Sequence, residues 1–170
     1  MRSALLSLLP FALAVTACQK GGEGEGDRVE AAEPMGRYDI DPESGEVSAT
    51  HTDAGGVTTT LRAGDRVDPR YPEPFTVYPG AEVTNTTLVD RGEGTAVTIE
   101  FSTVDEREDV VRFYRDQARQ AGIEPHIEVA AGPTTTLGGT SEDGEMRFAL
   151  QVTQMAPLTE GQLSVRHRLD

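Results

Sequence analysis

Tryptophan is absent from this sequence, cysteine occurs once, at Cys18, and positive charge is scarce: 15 Lys+Arg stand against 29 Asp+Glu, a formal net charge of −14 over 170 residues. A single cysteine cannot build an internal disulfide framework or a cysteine-rich zinc site. With so few cations there is no basic surface to neutralise a phosphate backbone, so nucleic acid is not an expected partner. Apolar residues make up 36% of the chain, enough for one modest core. Long hydrophobic runs are also missing after the first 17 residues, and the run that opens the chain, Ala4 to Ala17, is interrupted by Pro10 and is shorter than the roughly 20 apolar residues a membrane-spanning helix needs. Arg2 before it and small residues after it make residues 1–17 read as a cleaved secretory signal.

The end of that signal, Val15-Thr16-Ala17-Cys18, resembles the lipobox of bacterial lipoproteins, where an aliphatic and two small residues precede an essential cysteine. The resemblance implies cleavage between Ala17 and Cys18, a diacylglyceryl group on the Cys18 thiol and acylation of the new amino terminus. Two or more acyl chains, at about 0.8 kcal/mol per buried CH₂, hold a protein to a membrane stably where one does not. In such lipoproteins an Asp after the cysteine favours the inner membrane; here Gln19 follows, which points to the outer membrane, facing the periplasm. Cleavage removes Arg2 and no acid, taking the formal charge from −14 to −15, so acyl chains rather than a polybasic patch must do the attaching.

Residues 18–45 comprise the acylated cysteine and a stretch, 19–45, that is rich in Gly and Glu and reads as a flexible acidic tether with a reach on the order of 25 Å or more. A hairpin is expected over 46–66, with strands 46–52 and 57–63 about the Asp53-Ala54-Gly55-Gly56 turn. Its apolar face is thin, so it must dock or pair with another molecule. A Pro-rich link over 67–76 then separates it from an α+β domain spanning 77–170; Tyr71, Phe75, Val77 and Tyr78 pin this link down by packing, or else mark a partner surface.

Within that domain, Thr- and Val-rich runs on either side of Arg91-Gly92-Glu93-Gly94 predict a second hairpin, with Val97, Ile99 and Phe101 on its buried face. Val110, Tyr114, Ala118 and Ala121 at helical spacing predict the one helix, capped by Thr103 or Asp105 and ended by Gly122. Further strands are expected at 123–131, 134–140, 145–153 and 161–169. One helix across one face of an antiparallel sheet buries these stripes, which makes the class α+β.

The string Val77-Tyr78-Pro79-Gly80-Ala81, a Thr-rich hairpin, and Val110-Val111-Arg112-Phe113-Tyr114-Arg115 leading to Ala121-Gly122-Ile123 resembles a group of small uncharacterised bacterial envelope domains. The upstream hairpin ending in Leu61-Arg62-Ala63-Gly64 is similar to that of alphaproteobacterial lipoproteins of the same layout. The resemblance spans roughly 46–168 and rests on turn and packing residues; it implies fold and envelope location and brings no catalytic residues.

The remaining chemistry is thin. His51, His126 and His167 sit in no nucleophile motif, no G-x-S-x-G occurs, and Cys18 is consumed by lipidation. Asp39 to Gly45 imitates the opening of a calcium loop, but its Gly comes one residue late and Thr50 stands where the closing Glu should. Glu108, Arg112 and Asp116 fit i,i+4 pairing on a solvated helix face. No cofactor, metal or catalytic residue is assigned. The leading expectation is a non-enzymatic, membrane-anchored envelope lipoprotein that binds a protein partner or supports the envelope, using the early hairpin and the Pro-rich link. The alternative is a binder of a small apolar or lipid-like ligand between helix and sheet, lined by Phe101, Phe113, Tyr114, Phe148 and Leu150; an enzyme is the third option.

Overall fold

The computed structural model describes residues 36–169, which form one nine-stranded antiparallel sheet and a single helix. The class is α+β, with sheet dominating. In chain order the elements are β1 (Gly36–Ile40), β2 (Val47–Thr52), β3 (Thr58–Gly64), β4 (Glu82–Arg91), β5 (Gly94–Thr103), α1 (Arg107–Gln120), β6 (Ile127–Ala131), β7 (Thr134–Thr140), β8 (Met146–Met155) and β9 (Leu158–His167). Across the sheet they run β1-β2-β3-β4-β5-β9-β8-β7-β6. Two meanders, β1–β5 and β6–β9, are thus joined where β5 pairs with β9, and α1 carries the chain from the centre to the far edge.

The expected strands form where alternation is strongest. On β5, Val97, Ile99 and Phe101 are buried, and on β8 so are Phe148, Leu150 and Val152. Register aligns these residues: Val97 faces Val165 and Phe148 in turn, Ile99 faces Leu163 and then Leu150. Helix α1 lies over β7 and β8 and buries Val110, Tyr114 and Ala118 completely. It stops as its sequence predicts: Gly122, at φ 72°, lets Ile123 N–H reach Ala118 O (2.8 Å) while its own N–H donates to Arg119 O (3.0 Å).

Several expectations change. Residues 36–45, expected to be tether, form β1 and a turn, because Tyr38 and Ile40 alternate with polar neighbours and Asp41 Oδ1 accepts the Glu43 and Ser44 backbone N–H groups. The signal, Ala17, Cys18 and residues 19–35 lie outside the described residues. The hairpin is not a separate unit: β3 pairs with β4 from Thr59↔Arg91 to Gly64↔Thr86, so it extends the main sheet and gains its support there. The Pro-rich link is a packed cover. Val67 packs with Leu88 and Val97, Phe75 stacks on Phe148 at 5.8 Å between ring centroids, and Tyr71 Oη donates to Leu163 O (3.4 Å). Helix and link together cover one face of the sheet.

Neither Thr103 nor Asp105 caps the helix. Glu106 occupies the N-cap position without a side-chain cap, and the free Arg107 N–H donates to Gln154 Oε1 on β8 (2.9 Å). The helix cations also choose other partners than those at i,i+4: Arg112 pairs with Asp109, Arg115 with Glu128 on β6 (2.5 Å) and Arg119 with Glu124 (3.5 Å). Ile123 ends the helix instead of starting a strand, and β9 begins three residues early because Ala156-Pro157 forms a two-residue turn that lets Leu158 pair with Met155.

Candidate functional site

Among the described residues no helix and no link lies on the other face of the sheet. Because side chains alternate along each strand, register turns this face into rows running across the strands. One row reads Ile127, Gly138, Ala149, Ser164, Thr98, Thr87 and on through Ala63 and Val47 to Ile40. The next reads Thr140, Arg147, Arg166, Ala96, Val89, Leu61, Ala49 and Tyr38. Polar cross-strand bonds hold the middle, as between Thr98 Oγ1 and Ser164 Oγ (3.0 Å). Apolar side chains close both ends of the first row, with Ile127 at one and Val47 and Ile40 at the other, and one end of the second, at Tyr38.

Those ends are also the sheet's edges. At β1 every residue is exposed, with Tyr38 at 65% and Ile40 at 52%. At β6 every residue is likewise exposed, with Ile127 at 48% and Val129 at 56%. Among the described residues each strand pairs on one side only, and an edge so placed presents outward N–H and C=O groups to a further strand. Neither strand contains Pro or Lys, though both are short, five residues each, and carry charge at Arg37 and Asp39 of β1 and at Glu128 of β6.

The histidines stand apart. His51 lies on β2 opposite Gly36 and Thr59, and His126 precedes β6, where its backbone N–H donates to Gly138 O (3.1 Å). His167 Nε2 lies 3.9 Å from Glu145 Oε2, which Arg168 Nε engages at 3.0 Å. No pairing with a buried nucleophile is made by any of them. The loop from Asp41 to Gly45 is a turn closed by Gly45 N–H to Asp41 O (2.8 Å), with hydrogen bonds holding the Asp41 carboxyl below the usual carboxylate range. Among the described residues no group of His, Cys, Asp or Glu side chains is arranged to hold a metal ion.

The pocket expected between helix and sheet is filled by its own lining. Tyr114 is fully buried, Phe101, Phe148 and Leu150 are at most 4% exposed, and Phe113 meets Tyr114 edge to face at 5.1 Å. Hollows open on the bare face instead. One, of about 450 Å³, lies beside Glu100, Glu160 and Gln162; another, of about 280 Å³, lies over Gly138 and Ala149 and is bounded by Arg147 and Arg166. Only the register of β8 against β9 brings these two arginines face to face. Comparisons with protein-family models, with curated proteins and with solved structures gave no match for this chain.

Proposed function

We propose that this chain is a lipid-anchored lipoprotein of the bacterial envelope, held by acyl chains on Cys18 at the outer membrane facing the periplasm. Its α+β domain works by binding an envelope protein partner rather than by catalysis. The anchor rests on the resemblance of Val15-Thr16-Ala17-Cys18 to a lipobox. The observation that carries the binding role is the pair of edge strands, β1 and β6, with exposed apolar side chains and outward backbone groups that no described strand pairs. The Pro-rich link is no longer a candidate surface, since its aromatic residues are spent on packing.

Affinity purification of the tagged full-length protein from crosslinked envelopes tests this reading, alongside Cys18→Ala, Tyr38→Lys and Val129→Lys. A near-stoichiometric partner lost from one edge variant and from Cys18→Ala supports it. Equal recovery with all variants, or no enriched partner, overturns the binding role. Uptake of radiolabelled fatty acid by the Cys18→Ala protein would refute the anchor.

A further inference from the structure

On the bare face, Arg147 of β8 stands directly opposite Arg166 of β9. Like charges in such cross-strand positions repel, so the arrangement costs stability unless something negative lies between them. Among the described residues no carboxylate pairs with either of them. Seven other arginines of the described residues are engaged by carboxylates, as Arg62 is by Glu46 and Arg91 by Asp53, whereas Arg147 and Arg166, like the scattered Arg37, Arg66 and Arg70, lie within ion-pair distance of no carboxylate among the described residues. The nearby acids are committed elsewhere: Glu145 holds Arg168 at 3.0 Å, and Asp143 accepts hydrogen bonds from Ser141 Oγ and the Glu145 backbone N–H. In a chain with nearly twice as many acids as bases, two adjacent cations without partners stand out.

They border a hollow of about 280 Å³ with a different character from its rim. Its floor is the row Gly138, Ala149 and Ser164, small residues directly opposite one another on β7, β8 and β9. Ile127, 48% exposed, walls the end towards β6. Ser164 Oγ accepts from Thr98 Oγ1, which leaves its own hydrogen free to donate outward. Cationic forks on one side and an apolar trough on the other make an amphiphilic site.

We propose that this site binds a phosphate monoester carrying an apolar chain. Two guanidinium groups offer more N–H donors than a carboxylate has oxygens to use, and their two charges match the near-dianionic phosphate monoester at neutral pH. The alkyl part lies along Gly138 and Ala149 towards Ile127. This binding role is independent of edge pairing and does not require the lipid anchor.

The test is a titration of the full-length, isotope-labelled protein, followed by amide shifts of residues 136–149 and 163–167. Hexyl phosphate, inorganic phosphate, hexanoate and hexanol are the probes, with dihexanoyl phosphatidic acid as the soluble two-chain lipid. Saturable binding of hexyl phosphate at this face is expected, at least about fivefold tighter than inorganic phosphate or hexanoate. Arg147→Ala and Arg166→Ala should each weaken it about tenfold. Ala149→Glu, which puts a carboxylate on the trough floor, should abolish it while leaving the fold intact. Tighter binding of dihexanoyl phosphatidic acid than of hexyl phosphate assigns the site to a lipid headgroup; the reverse assigns it to a dissolved single-chain ester. The proposal is overturned if no probe saturates, if shifts map elsewhere, if hexanoate binds as well as hexyl phosphate, or if an Arg37→Ala/Arg70→Ala control weakens binding as much.

Discussion

Gly161 of β9 lies directly opposite Phe101 of β5, and the Phe101 ring occupies the space where a β-carbon on residue 161 would stand. A methyl there would come within 2.6 Å of Phe101 Cε1 and closer still to Cζ. Glycine is required at this position by packing. Gly161→Ala is expected to destabilise the protein by about 1–3 kcal/mol, the usual cost of overpacking a close-packed core. Urea denaturation measures this, and the paired change Phe101→Leu with Gly161→Ala should recover part of the loss if the ring is the obstacle.

Tyr114 tests the core from the opposite direction. Its ring is fully buried against Phe101, Tyr78 and Phe113, but its hydroxyl makes no hydrogen bond, although the Tyr78 backbone lies beside it. Thr86 Oγ1 is buried without a partner as well. Removing an unsatisfied buried hydroxyl relieves a desolvation cost of about 1–3 kcal/mol. Tyr114→Phe and Thr86→Val should therefore hold or raise the denaturation midpoint; a fall of more than 1 kcal/mol in either would show that the hydroxyl has a partner.

Gln117 fastens the link to the helix. Its Oε1 accepts from Thr76 N–H (3.2 Å) and its Nε2 donates to Thr76 Oγ1 (2.8 Å), although both residues belong to segments otherwise held by apolar packing. Loss of the pair in Gln117→Ala is expected to cost about 1–2 kcal/mol. Limited proteolysis should then cut within 65–81 sooner than in the parent, while cleavage in the strands stays unchanged.

Alkali should unfold the domain through its tyrosines. Burial pushes the Tyr71 and Tyr114 hydroxyls above the ordinary tyrosine range, and Tyr78 is pushed up to about 12 by burial and by its hydrogen bond to Asp105 Oδ2 (2.8 Å). In the unfolded chain these groups ionise near about 10. Above that pH the unfolded state has lost protons that the folded state keeps, so stability that is complete below about 10 falls as pH rises. Denaturant midpoints compared on either side of pH 10, with tyrosinate absorbance as the monitor, should show this loss; Tyr78→Phe should make the decline shallower.

What the sequence made legible followed alternation and spacing. The stripes Val97-Ile99-Phe101 and Phe148-Leu150-Val152, the helix face Val110-Tyr114-Ala118 and the terminator Gly122 all do in the structure what their pattern predicts. What stayed hidden depended on distant partners. β1 escaped notice because Tyr38 and Ile40 lie beside a Gly- and Glu-rich stretch, and their strand exists only by pairing with β2. The packing of Phe75 and Tyr78 in the link was legible from their aromatic character, but the burial of Val67 against Leu88 and Val97 was not, since no local pattern announces it. The arginine pair was beyond reach for the same reason: opposition of Arg147 and Arg166 is set by the turn at Ala156-Pro157, and a slip of one residue there would put their side chains on different faces.

The place of β9 sets the order of events as the chain is synthesised. It is last of the nine strands in chain order and lies in the middle of the sheet, paired to β5 over nine residues and to β8 over ten. A chain threading out amino end first can assemble the β1–β5 meander early, but until Leu158–His167 emerges that meander has an open inner edge and the core residues Ile99 and Phe101 lack their neighbours on one side. Closure of the sheet therefore waits for β9, and anything that shields the β5 edge before then is displaced by its arrival.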